Sequence, residues 1–192
     1  YAHFEDSELE ELAQYIGTHA ESVVIQNPNK KNGDKGDNDN KRMQIELTQR
    51  TQPSALNKVK SLANDHYPTL TPNDIYGLFS LAGGGNQKGH TDYRTGLDRK
   101  RFIGVEGDIP SLMLVALEDG TKLAVWPYSY LGFNRGKKII NLGKGDVLFF
   151  RPDLIHAGCK YDYPNSRVHV YLDSTNFKRI PNETHFDSVD SV

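Results

Sequence analysis

From residue 74 to residue 173 the chain is cut into short apolar runs by turn residues, and this texture limits the fold more than any other feature. The segments 74–82, 111–118, 121–127, 137–142, 146–151 and 166–173 are rich in Val, Ile, Leu, Phe and Tyr. Gly83-Gly84-Gly85, Asp119-Gly120, Gly143 with Gly145, Pro152-Asp153 and Pro164-Asn165 separate them. Short β-branched and aromatic runs bounded by Gly, Pro, Asn and Asp are strand signals. Asp119-Gly120 predicts a hairpin, because both central positions of a type I′ turn take positive φ.

The first third of the chain reads differently. Residues 5–16 predict an amphipathic helix, with Leu9, Leu12, Ala13 and Ile16 on one stripe and acids in the first turn, where the helix dipole favours them. Residues 22–26 suit a short strand. Residues 27–42 contain no hydrophobic residue and predict a solvated loop or insertion. A second helix is predicted over 53–66, opened by Pro53 and striped by Ala55, Leu56, Val59, Leu62 and Ala63. Residues 178–192 are polar and acidic and predict a frayed tail. Helices followed by many short antiparallel strands imply a mainly β sandwich or barrel under helical cover.

Composition narrows the function. At 192 residues the chain suits one domain with a core of its own. Its 23 basic and 25 acidic side chains leave a net charge of -2, so no global field recruits nucleic acid. No apolar run approaches the ~18 residues of a membrane span. No signal-peptide pattern opens the sequence, and Cys159 stands alone, so the expected compartment is cytoplasmic or nuclear. The sequon Asn182-Glu-Thr184 points weakly the other way. A lone cysteine also excludes a Cys-based zinc site, which leaves histidine and carboxylate to hold any metal.

Seven histidines must be sorted. His3 and His185 lie in terminal segments, and His19 and His66 lie near helix ends. His90, His156 and His169 remain, all in the β region. In His90-Thr91-Asp92, residues two apart on an extended strand project to one side, so an imidazole and a carboxylate converge. His156, after the apolar run 146–150 and the Pro152-Asp153 turn, is the best third ligand. Two His and one carboxylate make the facial triad of non-haem Fe(II) oxygenases, which leaves three coordination positions open. Arg167 follows on the next run. Its planar, permanently charged fork suits the far carboxylate of a dicarboxylate. His169 and Tyr171 share its face by period 2, and no acid is obvious nearby on that face.

These residues carry a family resemblance. His90-Thr91-Asp92, Gly145-Asp146-Val147-Leu148-Phe149-Phe150, His156-Ala157-Gly158 and Asn165-Ser166-Arg167 resemble the Fe(II)- and 2-oxoglutarate-dependent dioxygenases of the prolyl-hydroxylase and phytanoyl type. Leu123-Ala-Val-Trp126-Pro127-Tyr128-Ser129 is similar to the strand ending in Pro-Gly-Ser-His of phytanoyl-type members, with Tyr128 and Tyr130 in place of that Gly and His. The resemblance covers roughly residues 74–175. It implies a double-stranded β-helix (jelly-roll, cupin-like) core flanked by two or more helices. The single oxygenase domain then spans 1–177, with helical cover over 1–68 and core over about 74–175.

The resemblance also implies iron ligation by His90, Asp92 and His156, and a salt bridge from Arg167 to the 2-oxoglutarate C5 carboxylate. The implied cofactors are Fe(II), 2-oxoglutarate as cosubstrate and O2. The implied reaction couples decarboxylation to succinate and CO2 with hydroxylation or demethylation. Tyr76 and Ser80 share a face and suit either hydrogen bonds to 2-oxoglutarate or core positions. Tyr93, Arg94, Trp126 and His169 are candidate substrate contacts. The substrate expected is a small molecule or a protein or peptide side chain. Arg99-Lys100-Arg101 and Lys137-Lys138 suit solvated loops, or an acidic or nucleic substrate if aromatic residues are interleaved with them. Two rivals stay open: a cupin-like metal enzyme without 2-oxoglutarate, and a non-catalytic jelly-roll binding module.

Overall fold

A computed structural model describes residues 4–22, 41–93, 109–133, 135–177 and 185–186. The predicted stripe forms α1 (Asp6–His19), which buries Leu9, Leu12 and Ile16. Glu5 and Glu8 close a capping box at its start. The strand β1 (Glu21–Ser22) follows, then β2 (Arg42–Glu46). The second helix, α2 (Pro53–His66), opens on Pro53, where a missing N–H is harmless. The remaining strands are β3 (Thr71–Ser80), β4 (His90–Thr91), β5 (Ser111–Ala116), β6 (Thr121–Val125), β7 (Lys138–Leu142), β8 (Val147–Phe150), β9 (His156–Gly158), β10 (Asn165–Asp173) and β11 (His185–Phe186).

The strands form two antiparallel sheets. One runs β1-β2-β3-β10-β5-β8 and the other β11-β4-β9-β6-β7. This is a jelly roll under helical cover. Both faces of the first sheet are covered, which explains the unbroken apolar run of β5. Met113, Val115 and Leu117 face the helices together with Val168, Val170 and Leu172. Leu112, Leu114 and Ala116 face the second sheet, against Leu123, Val125, Leu142 and Phe150. Among the described residues, no helix is long and apolar enough to cross a membrane.

Three expectations need correction. Asp119-Gly120 closes no hairpin: β5 pairs with β10 and β8, whereas β6 pairs with β9 and β7. Gly120 does take positive φ, at 72°. The turn carries the chain from one sheet to the other, and the hairpin is β6–β7 instead. Lys144 N–H donates to Asp119 Oδ1 at 2.8 Å, so this turn leans on the second sheet-switching turn, at Gly143 to Gly145. The polar segment 27–42 gives up its last residue to β2. Arg42 is no solvated loop residue, because its Nη2 donates to the carbonyls of Gly85, Gly158 and Cys159 at 2.5, 3.2 and 3.1 Å. Residues 27–40 lie outside the described residues. Of the tail, His185 and Phe186 pair with Thr91 and His90, so these two add an edge strand rather than fraying.

Gly77 is the tightest point beneath α1. It pairs with Val168 and Ile45, and a Cβ there would overlap the buried Ile16 side chain. Overpacking of this kind costs about 1–3 kcal/mol. Gly77→Ala is therefore expected to lower the denaturant midpoint with little change in slope, as read by urea unfolding.

Candidate functional site

The register of the second sheet assembles the three candidate ligands. His90 on β4 is paired with His156 on β9, and His156 with Val125 on β6. Asp92 follows β4 at the same end of the sheet. Asp92 Oδ1 is 3.9 Å from His90 Nε2, and Asp92 Oδ2 is 3.6 Å from His156 Nε2. One ligand atom from each residue lies within 4.8 Å of the others, and all three side chains are buried.

Both imidazoles are oriented in the same way. His90 Nδ1 is 2.9 Å from the Lys88 carbonyl, and His156 Nδ1 is 3.0 Å from the Leu154 carbonyl. A carbonyl only accepts, so each Nδ1 carries the proton and donates it. Each Nε2 is then the ring nitrogen left facing Asp92. This is how a backbone carbonyl fixes the tautomer of a metal-binding histidine. Phe150 sets its edge against the His156 ring, with centroids 5.0 Å apart. Two imidazole nitrogens and one carboxylate oxygen suit a divalent transition metal. A bond length of about 2.1 Å puts two ligands of one ion at most about 4.2 Å apart, and both His–Asp separations fall inside that limit.

Arg167 lies on the inner face of β10, in the opposing sheet. It is 6% exposed, and Nη1 donates to Ser80 Oγ at 3.1 Å and to the Asn165 carbonyl at 3.5 Å. Its guanidinium lies over the Tyr161 ring at 5.5 Å. Tyr161 is fixed in turn by the Lys122 backbone, accepting from N–H at 2.9 Å and donating to the carbonyl at 3.1 Å. Among the described residues no carboxylate pairs with Arg167, so a buried cation has only neutral partners.

The structure sorts the other candidates. His169, two residues along from Arg167, brings Nε2 to 3.7 Å from Asp92 Oδ2 and stacks against Phe150. It stands between the arginine and the triad. Tyr76 pairs with His169 across the strands and sets its ring edge-on to Tyr171 at 6.2 Å. Ser80 is at the arginine. Tyr93 is 5% exposed and donates its hydroxyl to Asp173 Oδ1 at 2.6 Å, so it ties down the segment that carries Asp92. Trp126 packs on Ala124, Ala157 and Cys159. That is the outer face of the second sheet, because residues two apart share a face and His156 pairs with Val125. Arg94, and the cluster Arg99-Lys100-Arg101, lie outside the described residues. Phe150, Tyr161 and Asp173 are parts of this site that their sequence positions do not announce.

Burial pushes the Cys159 thiol up from its usual 9.0. The folded chain therefore holds this proton where the unfolded chain releases it. That contribution to stability is fully present below pH 9.0 and is lost as pH rises through the folded value. Alkylation of Cys159 is expected to be slow in the folded protein at pH 8 and fast in denaturant, as read by mass spectrometry.

The fold is a double-stranded β-helix, and it is similar to that of solved structures described as 2-oxoglutarate-bound or α-ketoglutarate-dependent. HygX from Streptomyces hygroscopicus, solved with nickel and 2-oxoglutarate bound, superposes with a TM-score of 0.61 at 14% identity, covering 92% of this chain and 82% of that one. SnoN, a non-haem α-ketoglutarate-dependent epimerase from nogalamycin biosynthesis, gives 0.62 at 16% identity over 92% and 76%. A prolyl hydroxylase from Trichoplax adhaerens, in complex with a hypoxia-inducible-factor peptide fragment, gives 0.61 at 11% identity over 89% and 79%. No family model matches the sequence, and no curated protein matches it.

Proposed function

We propose that this chain is an Fe(II)- and 2-oxoglutarate-dependent oxygenase that hydroxylates or demethylates a small molecule or a peptide side chain. One observation carries the reading. A buried His-Asp-His set on one sheet faces, across His169, a buried arginine on the other sheet that no described carboxylate pairs with. Solved relatives of the same fold support it, since one binds nickel with 2-oxoglutarate and another holds a peptide.

In this reading His90, Asp92 and His156 hold the iron, and the Lys88 and Leu154 carbonyls keep both Nε2 atoms aimed at it. Arg167 takes the far carboxylate of 2-oxoglutarate, with Ser80 as a second donor beside it. Phe150 and the inner faces of β5 and β6 keep water from the site. Iron held there would supply the oxidising chemistry: one atom of O2 would go to 2-oxoglutarate, which leaves as succinate and CO2, and the other to the substrate, with the iron retained.

The test is succinate formation from 2-oxoglutarate by purified protein. Slow, Fe(II)-dependent succinate release is expected even without the main substrate. A protein that binds Fe(II) yet forms no succinate above a metal-free control would instead be a metal enzyme of the cupin kind. One that binds no Fe(II) would be a jelly-roll binding module.

A further inference from the structure

The connection that leaves β6 is built at the triad end of the second sheet. His90, His156 and Val125 are in register, and Asp92, Ile155 and Trp126 all leave the sheet at that end. Trp126 N–H donates to the Ile155 carbonyl at 2.9 Å, and Ile155 N–H donates to Ser129 Oγ at 2.8 Å. The connection is thus pinned to the residue immediately before His156. It is also tied internally. Leu131 N–H and Phe133 N–H donate to the Tyr128 carbonyl at 2.9 and 3.3 Å, and Gly132 N–H to the Ser129 carbonyl at 2.9 Å.

This tightly bonded segment turns apolar groups outward. Tyr128, Leu131 and Phe133 are 45, 51 and 56% exposed. Tyr128 has φ 63°, a left-handed conformation that costs a non-glycine residue of order 1 kcal/mol or more. Such outliers persist where surrounding structure over-determines them, and they cluster at ligand-binding sites. A loop serving only to join β6 to β7 needs neither the strain nor three exposed apolar side chains.

The charge here also departs from the rest of the chain. Residues 126–140 contain Arg135, Lys137 and Lys138 and no acid, in a protein of net charge -2. Aromatic residues at 126, 128, 130 and 133 precede these cations in the same segment and are not interleaved with them. The Arg135 guanidinium lies over the Tyr128 ring at 4.7 Å, and among the described residues no carboxylate pairs with it. Arg151 lies over the Tyr130 ring at 4.5 Å, but Asp153 neutralises it through two 2.9 Å hydrogen bonds. Among the described residues Arg135 thus has no carboxylate partner, unlike Arg151, and it already stands on an aromatic face.

We propose that Tyr128, Leu131, Phe133 and Arg135 form a docking rim beside the triad, and that the molecule it takes is an anion with a planar apolar body. The rim gives that body an aromatic and aliphatic surface to lie on, while Arg135 meets its carboxylate or phosphate. As the substrate rim it rests on the oxygenase reading, but its binding is measured without iron or 2-oxoglutarate.

The experiment is calorimetric titration of the full chain with 1-naphthyl phosphate, 1-naphthol and inorganic phosphate. Saturable binding of 1-naphthyl phosphate, about tenfold tighter than either other probe, is expected. Phe133→Ser and Arg135→Gln should each weaken it roughly tenfold while leaving the thermal midpoint unchanged, because both side chains are exposed. Leu131→Ser provides an independent check at the third rim position. Equal binding of phosphate or naphthol, or binding indifferent to all three substitutions, overturns the rim. Failure to bind Fe(II) in a separate titration overturns the oxygenase reading and leaves the rim result standing.

Discussion

Asp92→Ala is expected to lower Fe(II) affinity by more than about a hundredfold and to abolish succinate formation. The threshold follows from the orienting partners of metal ligands, whose loss alone costs about 10–100-fold. Asp92 supplies the single anion of the candidate set. Its oxygens face His90 at 3.9 Å, His156 at 3.6 Å and His169 at 3.7 Å, all inside a buried space. Without it, two neutral imidazoles face a divalent ion, and no other acid joins the set among the described residues. The substitution should leave the fold intact, since Tyr93 still anchors the segment to Asp173. Fe(II) should raise the thermal midpoint of the wild type, because a ligand that binds only the folded state stabilises it, and should not raise that of the variant. A variant that keeps its iron affinity would show that Asp92 is no ligand.

Arg167→Leu should separate cosubstrate binding from folding. The guanidinium is buried with a hydroxyl, a carbonyl and a tyrosine ring as partners. Truncating one partner of a buried charge pair costs about 2–5 kcal/mol, so affinity for 2-oxoglutarate should fall by roughly 30-fold to several thousandfold. Stability without ligand should stay level or rise, because a cation with no buried counter-charge is replaced by an apolar side chain of smaller volume. Fe(II) affinity should be unchanged, as the arginine is not in the ligand set. Calorimetry with 2-oxoglutarate and urea unfolding together read this pattern. A large loss of stability with 2-oxoglutarate affinity preserved would make Arg167 a structural residue.

Local signals were readable in the sequence wherever local physics decides. The second helix lies over 53–66 as predicted, because a proline start and an apolar stripe are both short-range. The run at 111–118 was legible as a strand, though only the fold explains why both its faces are apolar. The Asp119-Gly120 hairpin failed because the same positive-φ chemistry serves a turn that changes sheets, and pairing partners are set by long-range packing. Strand β2 carries no such local signal, since Arg42–Glu46 is a short, half-polar run next to a wholly polar stretch.

The site divides along the same line. Period 2 placed His169 and Tyr171 with Arg167 on one face. It also shows, once His156 is seen opposite Val125, why Trp126 belongs to the outer face. No spacing rule could bring Tyr161 beneath Arg167 or Tyr93 to Asp173, because each contact depends on how the two sheets oppose.

The central claim is that the triad and Arg167 form one site that holds a metal and a dicarboxylate together. Anaerobic calorimetric titration of 2-oxoglutarate into the wild-type chain, with and without one equivalent of Fe(II), tests it most directly. The account predicts tight binding with iron present, marked weakening without it, and loss in both Asp92→Ala and Arg167→Leu. Binding of equal strength with and without iron, or no binding in either case, would contradict it.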